Sequence, residues 1–314
     1  MSTTPATPAA SGAAVVPPLF QGLFDDAAVF PPGNLPVADA VPAHLAHRAA
    51  PYADAVGPLL CGAGRLGELA AAADAATGSA GGTAVAAAAG GTAADGTGPR
   101  LRVGLVLPGG SSELGPALTA AAPFVVAGVE LATRDAGEAV AALDLLLPPD
   151  VPAAVELPRE LLRGDGLEEV LDVLVDSPYR AKFRTGGVVA GAFPDEAELA
   201  GFLTGCAQRG LPYKCTAGLH HAVRHTDPAT GFEHHGFLNV LLAAAETDPK
   251  TAAEILAERS GTVLAEAVRS LTDRQVTVIR NSFTAFGTCS IAEPLDDLAA
   301  LGLLSPDLTS QEDR

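Results

Sequence analysis

The sequence predicts an α/β fold, a single (β/α)8 barrel of the TIM type. Three observations carry this reading. Eight short apolar runs recur along the 314 residues, each bounded by Gly or Pro and several rich in Val, as buried parallel strands are. Helix-like segments separate them, and that alternation closes one parallel sheet and covers its outside with helices. No Gly-x-Gly-x-x-Gly opens a helix after any strand, which argues against the open, doubly wound alternative.

In chain order, the first run is Ala27 to Phe30, just behind Asp25 and Asp26, and Pro36 to Arg48 follows as a helix. Pro58 to Gly62 leads to a helix at Leu66 to Ala76, and Arg102 to Leu107 to one at Glu113 to Ala121. Phe124 to Leu131 precedes Ala136 to Leu147, where Asp135 is a natural N-cap. Ala153 to Leu157 precedes Arg159 to Leu174; Tyr179 to Gly186 precedes Asp195 to Arg209, a segment started by Pro194-Asp195 and stopped by Gly210. Tyr213 to Gly218 leads into helical patterns at Gly236 to Ala245 and Thr251 to Leu271, and Phe283 to Ile291 into Leu295 to Leu301. Gly109-Gly110-Ser111-Ser112 lacks the Lys of a Walker loop and reads as a loop before a helix.

Residues 1–17 and 305–314 are small, polar and Pro-bearing and read as disordered tails, which leaves 18–304 for the barrel. Within it, 77–99 reads as a flexible low-complexity surface insertion. Nineteen Lys plus Arg against 37 Asp plus Glu leave a formal charge of −18, a poor match for nucleic acid or an anionic membrane surface. Cys61, Cys206, Cys215 and Cys289 form no Cys-x-x-Cys pair, and no leader or spanning segment is evident, so a reduced, cytoplasmic protein is expected. Cys215 and Cys289 read as small buried hydrophobes. The expected partner is a small-molecule substrate, and assembly as a homo-oligomer is compatible with the sequence.

In a barrel, chemistry belongs to the C-terminal ends of the strands. Those ends present Glu130, Glu156, Lys182, Arg184, Lys214, Thr216, Gly287 and Ser290. Charged groups in apolar strands cost several kcal/mol unpaired, so they need partners or a task. One reading has Lys182 and Lys214 neutralise Glu130 and Glu156 as buried ion pairs. The composition favours another. Only three of the 19 basic residues are Lys, namely Lys182, Lys214 and Lys250, so ordinary cationic duties fall to Arg. Lys differs from Arg in that it can lose its proton and attack a carbonyl, helped by burial and by a second ammonium nearby.

The segments Lys182-Phe-Arg-Thr-Gly-Gly187 and Lys214-Cys-Thr-Ala-Gly218, followed by Val223-Arg224, resemble the Lys-x-x-x-Gly and Lys-x-x-Gly-Gly stretches of Schiff-base (class I) aldolases of the deoxyribose-phosphate aldolase kind. The resemblance implies that Lys182 forms the imine and that Lys214 lowers its pKa. This chain carries Leu219-His220-His221 where a second Gly would stand, so the family's substrate is not carried over.

Five of the seven histidines, His220, His221, His225, His234 and His235, fall within sixteen residues. Thr226 to Gly231 is a turn sequence, which predicts a hairpin pairing Val223 to His225 with Phe232 to His234, in a loop at 219–236 over the barrel mouth. Two functions follow. His220 and His221, with Glu130 or Glu156, serve proton transfer; alternatively His221, His225 and His235 ligate a divalent metal, Zn, Mn or Fe, although no spacing matches a metal signature. No cofactor is otherwise expected. His44 and His47 read as surface residues of an outer helix. Asp26 is a candidate substrate contact. Arg184 and Arg224, with the Gly287 to Ser290 turn, would form an anion site, since barrels often bind phosphate at their last strands.

The preferred reading is a lyase or aldolase acting on a small carbonyl or carboxylate metabolite through a Lys imine. A metal-dependent hydrolase or isomerase is the first alternative, and a non-catalytic ligand-binding barrel the second.

Overall fold

The strands close into a ring. The computed structural model describes residues 14–79, 100–160 and 166–309. Its barrel strands are β1 (Phe24–Asp26), β2 (Val56–Gly62), β3 (Arg102–Leu107), β4 (Val125–Ala132), β5 (Ala153–Glu156), β6 (Arg180–Arg184), β7 (Tyr213–Thr216) and β10 (Phe283–Thr288). Each pairs with its neighbours in parallel, and β1 completes the circle between β2 and β10. This is the predicted (β/α)8 architecture.

Helices α1 (Val37–Ala49), α2 (Leu66–Ser79), α3 (Leu114–Ala120), α4 (Ala136–Leu146), α5 (Gly166–Val175) and α6 (Glu196–Arg209) follow β1 to β6 in turn. After β7 comes the antiparallel hairpin of β8 (His225–Thr226) and β9 (Glu233–His234), in which His225 faces His234. Helices α7 (Phe237–Ala243), α8 (Pro249–Ala257), α9 (Gly261–Arg269) and α10 (Asp273–Ser282) lead to β10, and α11 (Ala292–Ala300) and α12 (Pro306–Thr309) end the described chain. Among the described residues no helix is long and apolar enough to cross a membrane, and the four cysteines are unpaired.

Local sequence fixes many of these boundaries. Asp195 and Glu198 form a capping box at the start of α6, and Gly210 ends it in a left-handed conformation (φ 64°) that a side chain would strain. Asp135 caps α4 through the Glu138 amide. Outward-facing strand side chains make the core between sheet and helices. Phe24 packs edge-on against Phe237 and Phe286 at 5.7 and 5.4 Å, and Phe202 touches both Phe183 and Tyr213.

Several expectations are corrected. The first strand lies at Phe24–Asp26 and not at Ala27 to Phe30, because Asp25 points inward to a buried partner while Phe24 and Asp26 face the helices. The helix expected over Thr251 to Leu271 is broken in two by Ser260, whose side chain caps α9, and α10, capped by Thr272, was not foreseen. The helix expected from Arg159 begins, within the described residues, at Gly166; 161–165 lie outside them. Val16 and Leu308 are buried, so the packed chain extends into both segments read as tails, and α2 runs to Ser79. The remainder of the 1–17, 77–99 and 305–314 segments, namely 1–13, 80–99 and 310–314, lies outside the described residues.

Candidate active site

The interior of this barrel is charged. Barrel interiors are usually filled by branched aliphatic side chains; here the pleat of β1, β4, β5, β6 and β7 turns Asp25, Glu130, Glu156, Lys182 and Lys214 inward. Strand register sets Glu156 opposite Lys182 and Lys182 opposite Lys214. Lys182 Nζ lies 2.5 Å from both Glu130 Oε2 and Glu156 Oε2. Lys214 Nζ bonds Glu130 Oε1 and Asp25 Oδ2. The single carboxylate of Glu130 therefore bridges the two ammonium groups. Arg184 continues the row at the rim, 3.4 Å from Glu156. Lys182 is 1% exposed, Lys214 7% and Glu130 4%, so the row is shielded from bulk water. The third lysine, Lys250, is exposed at the surface.

Glycines make room for the row. A Cβ on Gly57 of β2 would stand 2.0 Å from Asp25 Oδ1, and one on Gly287 would press on Thr216 Oγ1 at 3.1 Å. Gly287 thus serves the interior by what it lacks.

Electrostatics sort the groups. Burial pushes the Glu130 carboxyl up, but Lys182 and Lys214 more than offset this and hold it down at about 2. For Lys214 burial favours the neutral amine, yet Asp25 and Glu130 prevail and raise its pKa above the ordinary lysine value, so it is a fixed ammonium. Asp25 is raised, by burial first and then by the Glu130 charge, against the pull of Lys214.

Above the row, a cavity of about 560 Å3 opens at the C-terminal mouth between the loops that follow β3, β4, β5 and β6. Glu156 and Arg184 line it together with Arg134, Arg159 and the Gly109-Gly110-Ser111 turn. The lysines, level with Glu156 in the strand register, lie outside the lining. No protein-family model matches this chain, and no curated protein matches it.

The histidine loop occupies the other side of the mouth, and most of its ring nitrogens are bonded within the protein, although His234 Nδ1 is buried without a partner among the described residues. His220 Nδ1 meets Glu293 at 2.9 Å and lies 3.7 Å from Cys289 Sγ, whose thiol pKa burial raises. His221 Nδ1 meets Asp297 at 3.1 Å, and His225 Nδ1 meets the Val223 carbonyl at 3.1 Å. His235 is buried, with Nε2 donating to the Pro194 carbonyl at 2.9 Å and Nδ1 accepting from Arg224 at 3.2 Å. Both its ring nitrogens are engaged. Among the described residues no group of three His, Cys, Asp or Glu side chains is arranged to hold a metal ion, so His221, His225 and His235 are not a ligand set. No hydrogen bond or ion pair joins His220 or His221 to either lysine among the described residues.

The other expected contacts divide. Arg184 and Glu156 stand at the cavity; Thr216 stands at the end of β7, level with Arg184. Asp26 points outward, its two oxygens taken by the Ala28 amide and by His44 Nδ1 at 2.9 Å, so His44 is a buried partner and not a surface residue. Arg224 is buried and pairs with Glu196 and Glu233, which makes it a tie under the hairpin. Ser290 turns its amide and carbonyl to Thr288 Oγ1, and its hydroxyl accepts from the Glu293 amide. Sequence reasoning passed over Arg134 and Arg159. The signal was present, since they lie two and three residues beyond the ends of β4 and β5, where mouth loops begin.

Proposed function

We propose that this chain is a barrel enzyme of the lyase or aldolase kind that forms an imine between Lys182 and a small carbonyl metabolite. The observation that carries this reading is the pair of buried lysines, in register on adjacent strands and bridged by Glu130 beneath a cavity at the catalytic face of the fold. Stability does not call for such a row, because buried ion pairs replaced by apolar side chains often leave a protein as stable or more so. Lys182 is the nucleophile in this reading, because its partner Glu156 lines the cavity, whereas Lys214 is held between Asp25 and Glu130 away from it.

Glu156 is the natural proton carrier, being 2.5 Å from Lys182 and the one carboxylate of the row that lines the cavity. The Lys182 ammonium gives a proton to Glu156 and the free amine adds to the carbonyl carbon. Glu156 then returns the proton to the departing hydroxyl, which leaves as water, and the product is a protonated imine. The chemistry balances without an external reagent. A non-catalytic binding barrel is the competing reading, and what favours it is that every charge in the row is paired.

Borohydride reduction in the presence of small aldehydes and ketones separates the two. We expect a stable adduct, seen by intact mass and mapped to the peptide bearing Lys182, and its loss in Lys182→Met. Protein that stays unmodified at both Lys182 and Lys214 would remove the imine and leave the binding reading.

A further inference from the structure

The mouth cavity has hydrogen-bond donors left over. Arg134 is exposed and has no hydrogen-bond or ion-pair partner among the described residues. Arg159 gives Nη2 to Glu198, while its Nε and Nη1 are buried and without a partner among the described residues. Arg184 spends one N–H on Glu156 at 3.4 Å and is otherwise in water. A guanidinium carries five donors and no acceptor, and a buried donor without a partner is costly, so what the wall lacks is oxygen with negative charge. Two other guanidinium groups of the chain, by contrast, meet two carboxylates each: Arg209 has Glu168 and Asp172, and Arg224 has Glu196 and Glu233.

The surroundings narrow the ligand. A cavity of about 560 Å3 suits a small organic molecule. Glu138 and Glu156 line it, and Glu198 stands behind Arg159, so three carboxylates already balance the three guanidinium charges and a single negative charge is accommodated more easily than a dianion. Arginine forks also match the planar carboxylate. We propose that this cavity is a carboxylate subsite, in which Arg134, Arg159 and Arg184 hold the acid end of a small oxo acid and turn its carbonyl toward Glu156. The direction of the carbonyl rests on the imine reading above; the carboxylate subsite stands without it.

The test uses the full chain with pyruvate, acetone and inorganic phosphate as probes. In calorimetric titration pyruvate binds saturably and acetone does not, and Arg159→Met and Arg134→Gln each weaken pyruvate binding at least ten-fold. Under cyanoborohydride, half-maximal labelling needs at least ten-fold less pyruvate than acetone. Circular dichroism confirms that each variant is folded; Arg134 is exposed and unpaired, so its variant decides the matter should Arg159→Met unfold. Pyruvate bound no better than acetone, or bound equally by both variants, overturns the subsite, and phosphate bound ten-fold tighter than pyruvate overturns its assignment to a carboxylate. Pyruvate binding without labelling removes the imine and keeps the subsite, whereas labelling at equal concentrations of the two ketones does the reverse.

Discussion

Around the mouth of this barrel, the loops after β4 and β5 and the end of β6 carry arginines with N–H groups to spare among the described residues, whereas the excursion after β7 ties Arg224 and most of its histidine nitrogens, His234 Nδ1 excepted, into carboxylates and carbonyls. Both sides are rich in cationic or potentially cationic side chains. What differs is satisfaction. A group whose hydrogen bonds are all made inside the protein contributes to holding a loop in place, and its removal is felt as lost stability. A group with donors facing a cavity contributes little to the fold and is free to meet a ligand.

Paired substitutions expose that difference. Arg224→Met removes a buried guanidinium from Glu196, Glu233 and His235, and breaking a buried pair costs about 4 kcal/mol. Arg159→Met takes one bond from the largely buried Glu198, which keeps its bond to the Asp195 amide, and also removes two buried N–H groups without partners among the described residues, so it should cost less, about 2 kcal/mol. Urea denaturation of the two variants measures both. Equal losses would mean that the two sides are built alike.

The next effect depends on pH. Burial, and then the Arg224 charge, lower the His235 pKa from 6.5 to about 4. The folded protein therefore holds this imidazole neutral while the unfolded chain takes up a proton below pH 6.5. Stability from this group is complete above pH 6.5 and is lost as pH falls from there toward 4, by about 3 kcal/mol at 1.36 kcal/mol per pH unit. The stability gap between wild type and His235→Gln should narrow over that range in denaturation curves taken at several pH values. A gap that is constant with pH would show that His235 is charged in the fold.

Gly57→Ala tests the floor that both sides share. The new methyl would fall 2.0 Å from Asp25 Oδ1 and 3.3 Å from its Cα, so Asp25 must leave Lys214 or β2 must shift. Overpacking of this kind costs about 2 kcal/mol. Its further consequence is chemical: a displaced Asp25 releases one of the two carboxylates that keep Lys214 an ammonium. A variant as stable as wild type would show that β2 moves freely and that the row is not braced there.

The same contrast explains what could be read from the sequence. Val-rich, two-sided burial made β3 legible to the residue, Arg102 to Leu107, and the capping box at Asp195 marked α6, because these signals are local. The scarcity of lysine singled out Lys182 and Lys214, which the fold sets in register on β6 and β7. Asp25 was misplaced into a loop because its reason for being in a buried strand is Lys214, 189 positions away. His44 was misread on the same ground, since Asp26 lies 18 residues earlier and on a different element. The histidine cluster was dense along the chain and allowed proton transfer or metal ligation, but among the described residues no three ligands converge, and His220, His221, His225 and His235 each meet a carboxylate or carbonyl.

The smallest expected effect is also the cleanest separation of the two sides. Arg134→Gln and Arg259→Gln each delete one exposed guanidinium, the first at the cavity and the second at the hairpin, where Arg259 pairs with Glu233. Arg134 has no partner to lose among the described residues, so stability should change by less than about 0.5 kcal/mol, while Arg259 loses a surface pair worth at most about 1 kcal/mol. A ligand that binds only the folded state raises stability by RT ln(1 + [L]/Kd), so added pyruvate reads the cavity directly. Thermal unfolding in saturating pyruvate should rise for wild type and for Arg259→Gln, and rise less for Arg134→Gln. If pyruvate shifts all three alike, the donors left over at the mouth are simply hydrated, and the asymmetry of the two sides is one of structure alone.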